Sequence, residues 1–563
     1  MQRSLLRGNR RSSSLSGHTS DARLYAGCTK GEQGHAELGL RRGMGLFGNK
    51  RPMHNKYDKS VSYGGVLPVF SLARKLLNCN RRVMTCTGII KRSAFMKRAM
   101  TLVHFAAALL LAVAATQTRA ETIQIRIGHQ SMCTDTYPGG VVVKNLHLLE
   151  KFLPHTGKYA GVNYAIEWRD YPSGAPITTM MLADKLDFGV MGDYPLIVNG
   201  AKFQQTPHER SLLITGTAYN MDGAGNGIVV PAKSNVYSVT QLKGKTISVP
   251  IGSAAWGMLY KMAEDTGMKM SDFNVVNQGP MEGIASIAAD KVDAHADFCP
   301  MSEYMEYNGT GRMIYSGAQT SVPYLHGVVV RQSFAQKYPE IVVAYIKAII
   351  AADQWIAKNP EYASTMMAKW TMIPKEVLYL YYSNGGYLTP DPTLKPQWVK
   401  ALEYDHSILA KYAQIPPLDF KQWVSDSYIR EEYKEMGLNY DAAVKALYNP
   451  VANVHRHPEI WPEGGSVVKY PNDKSLLAAV AKMNATGKKI GATYVYDAKT
   501  GLKLFGNQAF YVKEKDGSII SFMRKSEAEN AARQGGVVMT FAQAISLPTV
   551  AMLQPADYRQ TQH

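Results

Sequence analysis

Two short segments of the chain carry side chains that bind soft metal ions. Each segment follows a predicted strand, and together they supply imidazole, thiol and thioether groups: His129, Met132, Cys133, His295, Cys299 and Met301. These donor types suit Cu(I). Cysteine and methionine are also common core residues, and the two cysteines are equally suited to a disulfide. The sequence therefore leaves copper binding, a disulfide and plain core packing open.

A second feature is a set of loops that leave a predicted strand and enter a predicted helix. None of them contains Lys or Arg: 128–133, 171–176, 192–195 and 252–256. A helix N-terminus presents unpaired backbone N–H groups and a partial positive charge, so converging termini can hold an anion without a cationic side chain. Gly252, Ser253 and Ala254 are small enough for a ligand to approach the backbone. The glycines and serines also suit simple helix capping.

Asp193 bears on the charge of any ligand. A carboxylate facing the site would oppose a bare anion such as nitrate, and it would favour a solute that also carries an amine, such as taurine. A carboxylate that caps its own helix would be used locally instead. Both roles stay open, and so does the ligand.

Motifs for covalent or metal-dependent catalysis are missing from the sequence. It contains no CxxC, no HExxH and no phosphate-binding loop, and no Ser/His/Asp order stands out. We therefore expect a binding protein and not an enzyme.

The elements that must position these residues alternate between strands and helices. Predicted strands at 123–127, 164–168, 187–191, 246–250 and 294–298 are separated by helical segments. Such alternation predicts parallel sheets, whose ligand sites lie at the carboxyl ends of the strands. From about 334 to 483 the pattern is mainly helical, and 457–465 is predicted to be a loop.

Four sequence patterns follow one another in the first half of the mature chain. They are IRIGHQ (125–130), LDFGVMGDYP (186–195), LKGKTISVP (242–250) running into GSAA (252–255), and DKVDA (290–294). Over about residues 122–400 this order resembles the periplasmic substrate-binding proteins of ABC importers, in the nitrate/sulfonate/taurine branch. The resemblance implies an α/β, two-lobed periplasmic-binding-protein type II fold with a ligand cleft between the lobes.

The resemblance also implies a layout and a site. Lobe one would comprise 121–218 and 324–480, and lobe two 219–323. The cleft would be lined from both sides by these ligand-binding candidates: His129, Gln130, Ser173, Gly174, Gly192, Asp193, Tyr194, Gly252, Ser253, Ala254, Ala255, Trp256 and His295. On this layout the copper alternative uses the six soft residues named above.

The first 120 residues differ in composition from the rest. Residues 1–95 hold 18 Lys/Arg against 4 Asp/Glu, whereas the 443 residues after 120 are close to neutral with 42 against 41. This removes the main support for nucleic-acid binding. Residues 96–120 have the basic start, apolar stretch and small-residue cleavage site of a signal peptide. We expect 1–95 to be a non-native or poorly ordered extension.

The tail, 490–546, has a ββ-helix-β pattern and is similar to the NosL family of copper-carrying accessory lipoproteins. This resemblance implies a small α+β C-terminal domain. The tail contains no Cys, and Met523 is one of its few soft ligands, so copper binding by the tail itself is not expected.

The leading hypothesis is a monomeric periplasmic protein that captures a small anionic or zwitterionic solute and delivers it to an ABC permease. Copper or copper-complex binding on the same fold is the second. The third is an enzyme like the related pyrimidine synthases, although the cysteine-rich iron motif of that branch is missing. No cofactor other than copper is expected.

Overall fold

The computed structural model describes residues 121–220, 222–446 and 456–548. All of these fall within one unit of the chain, Val113–His563. The predicted extension at 1–95 and the predicted signal peptide at 96–120 lie outside the described residues and stay predictions. Within the described ranges, no helix combines the length and apolar character that a membrane crossing requires.

Strands of the described ranges are numbered here in chain order. They are β1 (Thr122–His129), β2 (Asn163–Asp170), β3 (Phe188–Gly192), β4 (Ser211–Asn220), β5 (Gly227–Pro231), β6 (Thr246–Val249), β7 (Asn274–Asn277), β8 (Ala294–Asp297), β9 (Gly311–Ser316), β10 (Tyr324–Arg331), β11 (Glu459–Pro462), β12 (Val468–Lys469), β13 (Ile490–Tyr496), β14 (Lys503–Phe505), β15 (Phe510–Lys513), β16 (Ile519–Phe522) and β17 (Val537–Thr540).

The α-helices of the same ranges are numbered likewise. They are α1 (Val141–Asn145), α2 (Leu148–Phe152), α3 (Gly174–Leu182), α4 (Asp193–Gln204), α5 (Ala254–Asp265), α6 (Pro280–Ala288), α7 (Met301–Tyr307), α8 (Gln332–Lys337), α9 (Pro339–Lys358), α10 (Pro360–Trp370), α11 (Lys375–Tyr382), α12 (Pro396–Ala413), α13 (Phe420–Trp423), α14 (Ser427–Glu435), α15 (Tyr440–Lys445), α16 (Asp473–Ala485), α17 (Lys525–Ala532) and α18 (Phe541–Ile545).

Lobe one is built on a five-stranded sheet in the order β2-β1-β3-β10-β4. β1 pairs in parallel with β2 and β3, whereas β10 runs antiparallel to β3 and β4. Every residue of β3 is buried, and Ile123, Ile125 and Ile127 of β1 point into the core. Near-continuous apolar strands of this kind are typical of sheets covered by helices on both faces.

Lobe two is built on a second five-stranded sheet, in the order β7-β6-β8-β5-β9. The chain leaves the first sheet after β4, and it returns after β9 to form β10 in the first sheet. Two connections therefore join the lobes. The predicted two-lobed periplasmic-binding-protein fold is confirmed.

Helices between β10 and the C-terminal strands cover lobe one. The longest, α9, buries Ile341, Tyr345 and Ile349 and packs against α2 and α14. Its apolar residues recur every three to four positions, which gives a helix one continuous face to bury. These helices complete the core beneath the first sheet.

The C-terminal α+β domain begins earlier than the sequence predicted. Strand β11 pairs with β13, and α16 packs Leu476 and Leu477 into the same core as Tyr511. The domain therefore starts near residue 459, and the boundary of lobe one at 480 is wrong. The segment 457–465 was predicted to be a loop because Pro and Gly frame it. The segment has only two consecutive apolar residues, Ile460 and Trp461, which are too few to show the alternation of a strand. Both are nevertheless buried in β11.

This C-terminal domain contacts both lobes. Tyr494 donates its hydroxyl hydrogen to the Glu376 carbonyl of lobe one at 2.8 Å. Gln508 donates its side-chain amide to the Glu306 carbonyl of lobe two at 3.1 Å. Tyr307 of lobe two also packs on Phe505, with ring centroids 5.7 Å apart. The domain is thus placed across the two lobes and is not a detached tail.

Candidate functional site

Three helix N-termini meet at one small cavity between the lobes. The cavity is lined by Ser173 and Gly174 at the start of α3, by Gly192 before α4, and by Ser253 and Ala254 at the start of α5. The first two helices belong to lobe one and the third to lobe two. The structure therefore brings together all four loops that the sequence singled out for anion binding, since Cys133 of the loop 128–133 also lines the cavity.

The cavity is small, and the described residues that line it include no Lys or Arg. It encloses about 40 Å³, which is space for roughly three water molecules. The other residues that line it are Cys133, Ala175, Pro195, Pro250, Ile251, Gly252, Phe298, Tyr324 and His326. Backbone N–H groups and the hydroxyls of Ser173, Ser253 and Tyr324, and not Lys or Arg, are therefore the donors available to an anion among these residues.

The start of α5 shows which backbone donors are already used. Ser253 caps the helix, because its hydroxyl accepts the N–H of Trp256 at 3.3 Å. The Ser253 N–H itself donates to the Pro250 carbonyl at 3.1 Å. Gly252 precedes the cap with φ of 83°, a conformation that favours glycine. Ala254, the first residue of the helix, is the position whose N–H can face the cavity.

Asp193 is the first residue of α4 and not its cap, which is Gly192. Its carboxylate accepts the N–H of Tyr194 at 2.7 Å and the N–H of Leu325 at 3.4 Å. Burial raises the pKa of Asp193 to about 7. Asp193 and Tyr194 line a second small cavity, of about 30 Å³, which shares Ala254 and Tyr324 with the first. The carboxylate is therefore partly used by the backbone and also lies at the cleft.

His129 and Gln130 line neither cavity. His129 is buried with its ring 5.8 Å from that of Trp168, and burial lowers its pKa to about 4. Gln130 donates its side-chain amide to the Val190 carbonyl at 3.2 Å. Both residues sit where β1 ends, as predicted, but the strand directs them into lobe one. The structure does not bring them to either cavity, and their assignment to the ligand stays a prediction.

His295 is held inside lobe two, away from both cavities. Its Nδ1 lies 2.8 Å from the Ser248 hydroxyl, and its Nε2 lies 2.9 Å from Asp297 Oδ2. A side chain at Gly283 would collide with the ring, since a Cβ there would lie 2.0 Å from it. Ala255 and Trp256 are buried in α5 and line neither cavity. The structure does not bring these three residues to either cavity, and their assignment to the ligand also stays a prediction.

Two of the predicted soft residues do meet at the cleft. Cys133 follows β1 in lobe one and Cys299 follows β8 in lobe two, and their sulfur atoms are 3.1 Å apart as free thiols. The other four predicted copper ligands lie in other places. His129 and His295 lie elsewhere, Met132 packs half-buried at the edge of the core, and Met301 is buried at the start of α7.

His326, which the sequence did not predict as a ligand, completes this group of buried donors. His326 lies on β10, directly opposite Gly192 of β3, and its Nε2 is 3.3 Å from the Cys133 sulfur. Burial lowers its pKa to about 3, so the imidazole is neutral. Its signal in the sequence is a single polar residue in the apolar run YLHGVVV (324–330). Only the pairing of β10 with β3 shows where it points.

The chain is similar to a protein family and to several periplasmic binding proteins. A family model described as NMT1/THI5 like matches residues 165–363. The taurine-binding periplasmic protein of Escherichia coli K12 is 27% identical over 281 residues, which cover 47% of this chain and 84% of that protein. A putative aliphatic sulfonates-binding protein of Bacillus subtilis 168 is 24% identical over 275 residues, covering 48% of this chain and 79% of that protein.

Among solved structures, the chain is similar to the alkanesulfonate-binding protein SsuA of Xanthomonas axonopodis pv. citri bound to MOPS. That match has 22% sequence identity and a TM-score of 0.47, and it covers 55% of this chain and 100% of that one. The sequence relatives confirm the resemblance to the nitrate/sulfonate/taurine branch of periplasmic solute-binding proteins. The resemblance of the C-terminal domain to the NosL family stays a prediction.

Proposed function

We propose that this protein captures a small sulfonate between its lobes in the periplasm and delivers it to an ABC permease. The observation that carries the proposal is the convergence of three helix N-termini, at Ser173–Gly174, Gly192 and Ser253–Ala254, on one cavity. A sulfonate has three acceptor oxygens and one delocalised charge, which suits several N–H donors arriving from different directions. Each favourable terminus contributes about 0.3–2 kcal/mol.

The position of Asp193 favours an aminosulfonate of the taurine type within this class. Its carboxylate lines the cavity next to the one with the three helix termini, and Ala254 and Tyr324 line both. A solute with a sulfonate at one end and an ammonium at the other would place its cation towards Asp193. Nitrate and simple sulfonates carry no cation. For these solutes the nearby Asp193 carboxylate would make binding less favourable or leave it unchanged.

Solute entry requires the lobes to separate. The space at the helix termini holds roughly three waters, because only about 40 Å³ is enclosed, and an aminosulfonate is larger than that. Closure around the solute would then remove water from its charged ends. Donors in such a dry site act more strongly than they do in water, because the effective dielectric constant is lower.

Calorimetric titration of the purified full chain tests the solute class. The solutes are taurine, an unsubstituted alkanesulfonate of similar length, and nitrate. We expect taurine to bind most tightly, and we expect Asp193→Asn to reduce the preference for taurine over the alkanesulfonate. If none of the three solutes binds, the proposal is contradicted. If taurine and the alkanesulfonate bind equally, Asp193 has no role in selecting the solute.

Ala254→Pro tests the helix terminus directly. Proline is well tolerated at the first position of a helix, and Ser253 before it has the extended backbone that proline requires (φ −88°, ψ 169°). The substitution removes the Ala254 N–H while the helix stays intact. We expect sulfonate affinity to fall by about tenfold, which corresponds to about 1.4 kcal/mol for one lost donor.

Ala254→Val is the matched control for that experiment, since it adds similar bulk but keeps the N–H. Affinity should fall further in Ala254→Pro than in Ala254→Val. An equal loss in both variants would mean that bulk, and not the backbone donor, is responsible.

A further inference from the structure

The contact between Cys133, Cys299 and His326 is built like a metal site. The two sulfur atoms are 3.1 Å apart, and His326 Nε2 lies 3.3 Å from one and 3.8 Å from the other. One donor atom from each residue can be chosen so that all lie within 4.8 Å of one another. All three side chains are buried, and exposure does not exceed 3% for any of them. A single ion could contact all three donors after small side-chain movements.

We propose that Cys133, Cys299 and His326 bind a thiophilic metal ion of the Cu(I) or Zn(II) type between the two lobes. Thiolate and imidazole are the donors that these ions prefer, whereas Mg²⁺ and Ca²⁺ require oxygen ligands. Cu(I) is satisfied by three such donors. Zn(II) would take a fourth ligand, and the adjoining cavity, which Cys133 and His326 line, has room for water.

Supporting side chains surround the three donors. Asp135 places its carboxylate 3.5 Å from His326 Nδ1 and also interacts with the Cys299 thiol. A carboxylate in this position orients a metal-binding imidazole and increases its basicity. Tyr324 places its hydroxyl 3.5 Å from the Cys299 sulfur. His326 Nδ1 is buried without a hydrogen bond to the described residues, and Asp135 is the neighbouring acceptor for its proton when Nε2 holds the ion.

The site joins the lobes, because Cys133 and His326 belong to lobe one and Cys299 to lobe two. Binding would release the thiol protons and hold the lobes together, so metal uptake should stabilise the folded chain. The inference does not rest on sulfonate binding, since its donors are side chains and the proposed sulfonate donors are backbone N–H groups.

The test uses the full chain with Cys28, Cys79 and Cys86 replaced by serine, so that the remaining thiols are Cys133 and Cys299. The reduced, metal-free protein is titrated without oxygen against a chromophoric chelator, with Cu(I) in one arm and Zn(II) in the other. We expect one equivalent to bind in at least one arm. The arm with the tighter binding identifies the ion.

Variants then test the ligands. Cys133→Ser, Cys299→Ser and His326→Gln should each weaken binding by more than about 100-fold, and Asp135→Asn by about tenfold, as for a residue that only supports a ligand. His295→Gln is the control and should bind like the parent, because its imidazole is already bonded to Ser248 and Asp297.

A second measurement needs no variant and so does not depend on variant folding. Alkylation of the parent chain, read by mass spectrometry, should label Cys133 and Cys299 more slowly when the metal is present. The proposal is overturned if neither ion binds the reduced parent chain. It is also overturned if the Cys133→Ser/Cys299→Ser double variant binds as well as the parent, or if the metal does not protect the thiols.

Discussion

Two buried polar clusters join separate parts of this molecule, and they differ in how fully they are satisfied. One lies between the C-terminal domain and lobe one, where Lys503 Nζ is 2.7 Å from Glu459 Oε2 and donates to Ser383 at 2.6 Å. The rings of Tyr379, Tyr494 and Tyr496 lie within 5.5 Å of the ammonium. The other is the group of Cys133, Cys299 and His326 between the lobes.

The Lys503 cluster is structural, whereas the group of Cys133, Cys299 and His326 is a candidate binding site. In the first cluster opposite charges meet, and each charge has hydrogen bonds. In the second, the sulfurs and the imidazole have mainly one another as partners, and His326 Nδ1 has no hydrogen bond. An unsatisfied buried polar group costs about 1–3 kcal/mol. An ion held at Nε2 would keep the imidazole proton on Nδ1, next to the Asp135 carboxylate, so metal binding would favour the hydrogen bond that is missing here.

Breaking the satisfied cluster should have the largest effect on stability. Glu459→Gln leaves the buried Lys503 ammonium without its counter-charge, and we expect the free energy of unfolding to fall by about 3–5 kcal/mol. Urea unfolding measures the loss. Replacing both Glu459 and Lys503 by methionine should recover most of it. A loss below about 1 kcal/mol in Glu459→Gln would mean that the pair is not a structural charge pair.

Glu303 should make stability depend on pH. It is fully buried in lobe two, it accepts the Tyr381 hydroxyl of lobe one at 2.7 Å, and burial raises its pKa to about 7. The folded chain therefore keeps this proton where the unfolded chain has lost it, so stability falls as pH rises from about 4.5 and levels off above about 7.

The matched variant for this pH dependence is Glu303→Gln. Between pH 5 and pH 8, it should lose less stability than the parent, by up to about 3 kcal/mol. Urea unfolding at both pH values measures the difference. Parallel pH dependence in parent and variant would contradict the raised pKa.

The contact of the C-terminal domain with lobe two should matter least. Gln508→Ala removes one half-buried hydrogen bond to the Glu306 carbonyl, and we expect a loss of about 0.5–1.5 kcal/mol. Gln534→Ala in the same domain, at an exposed glutamine, controls for general destabilisation by loss of a glutamine side chain. If Gln508→Ala instead costs as much as Glu459→Gln, the domain is held by lobe two and not mainly by lobe one.

The sequence by itself determined the two-lobed α/β fold and the loops at the helix N-termini. Both depend on local patterns: apolar strands, small residues before helices, and the alternation of the two. Ser173, Gly174, Gly192, Ser253 and Ala254 were found in this way and line the cavity. The start of the C-terminal domain was missed, because β11 is only four residues long and its partner β13 lies about thirty residues further along the chain.

Tertiary structure alone decided which side chains reach the cleft. His129 follows one predicted strand and His295 lies on another. In the structure both rings point into the core of their own lobe and not into the cleft. Cys133 and Cys299 are 166 residues apart in sequence and meet because the two chain crossovers bring the lobes face to face. His326 joins them through antiparallel pairing of β10 with β3. A one-residue shift in that register would turn His326 to the other face of the sheet, and no local pattern specifies the register.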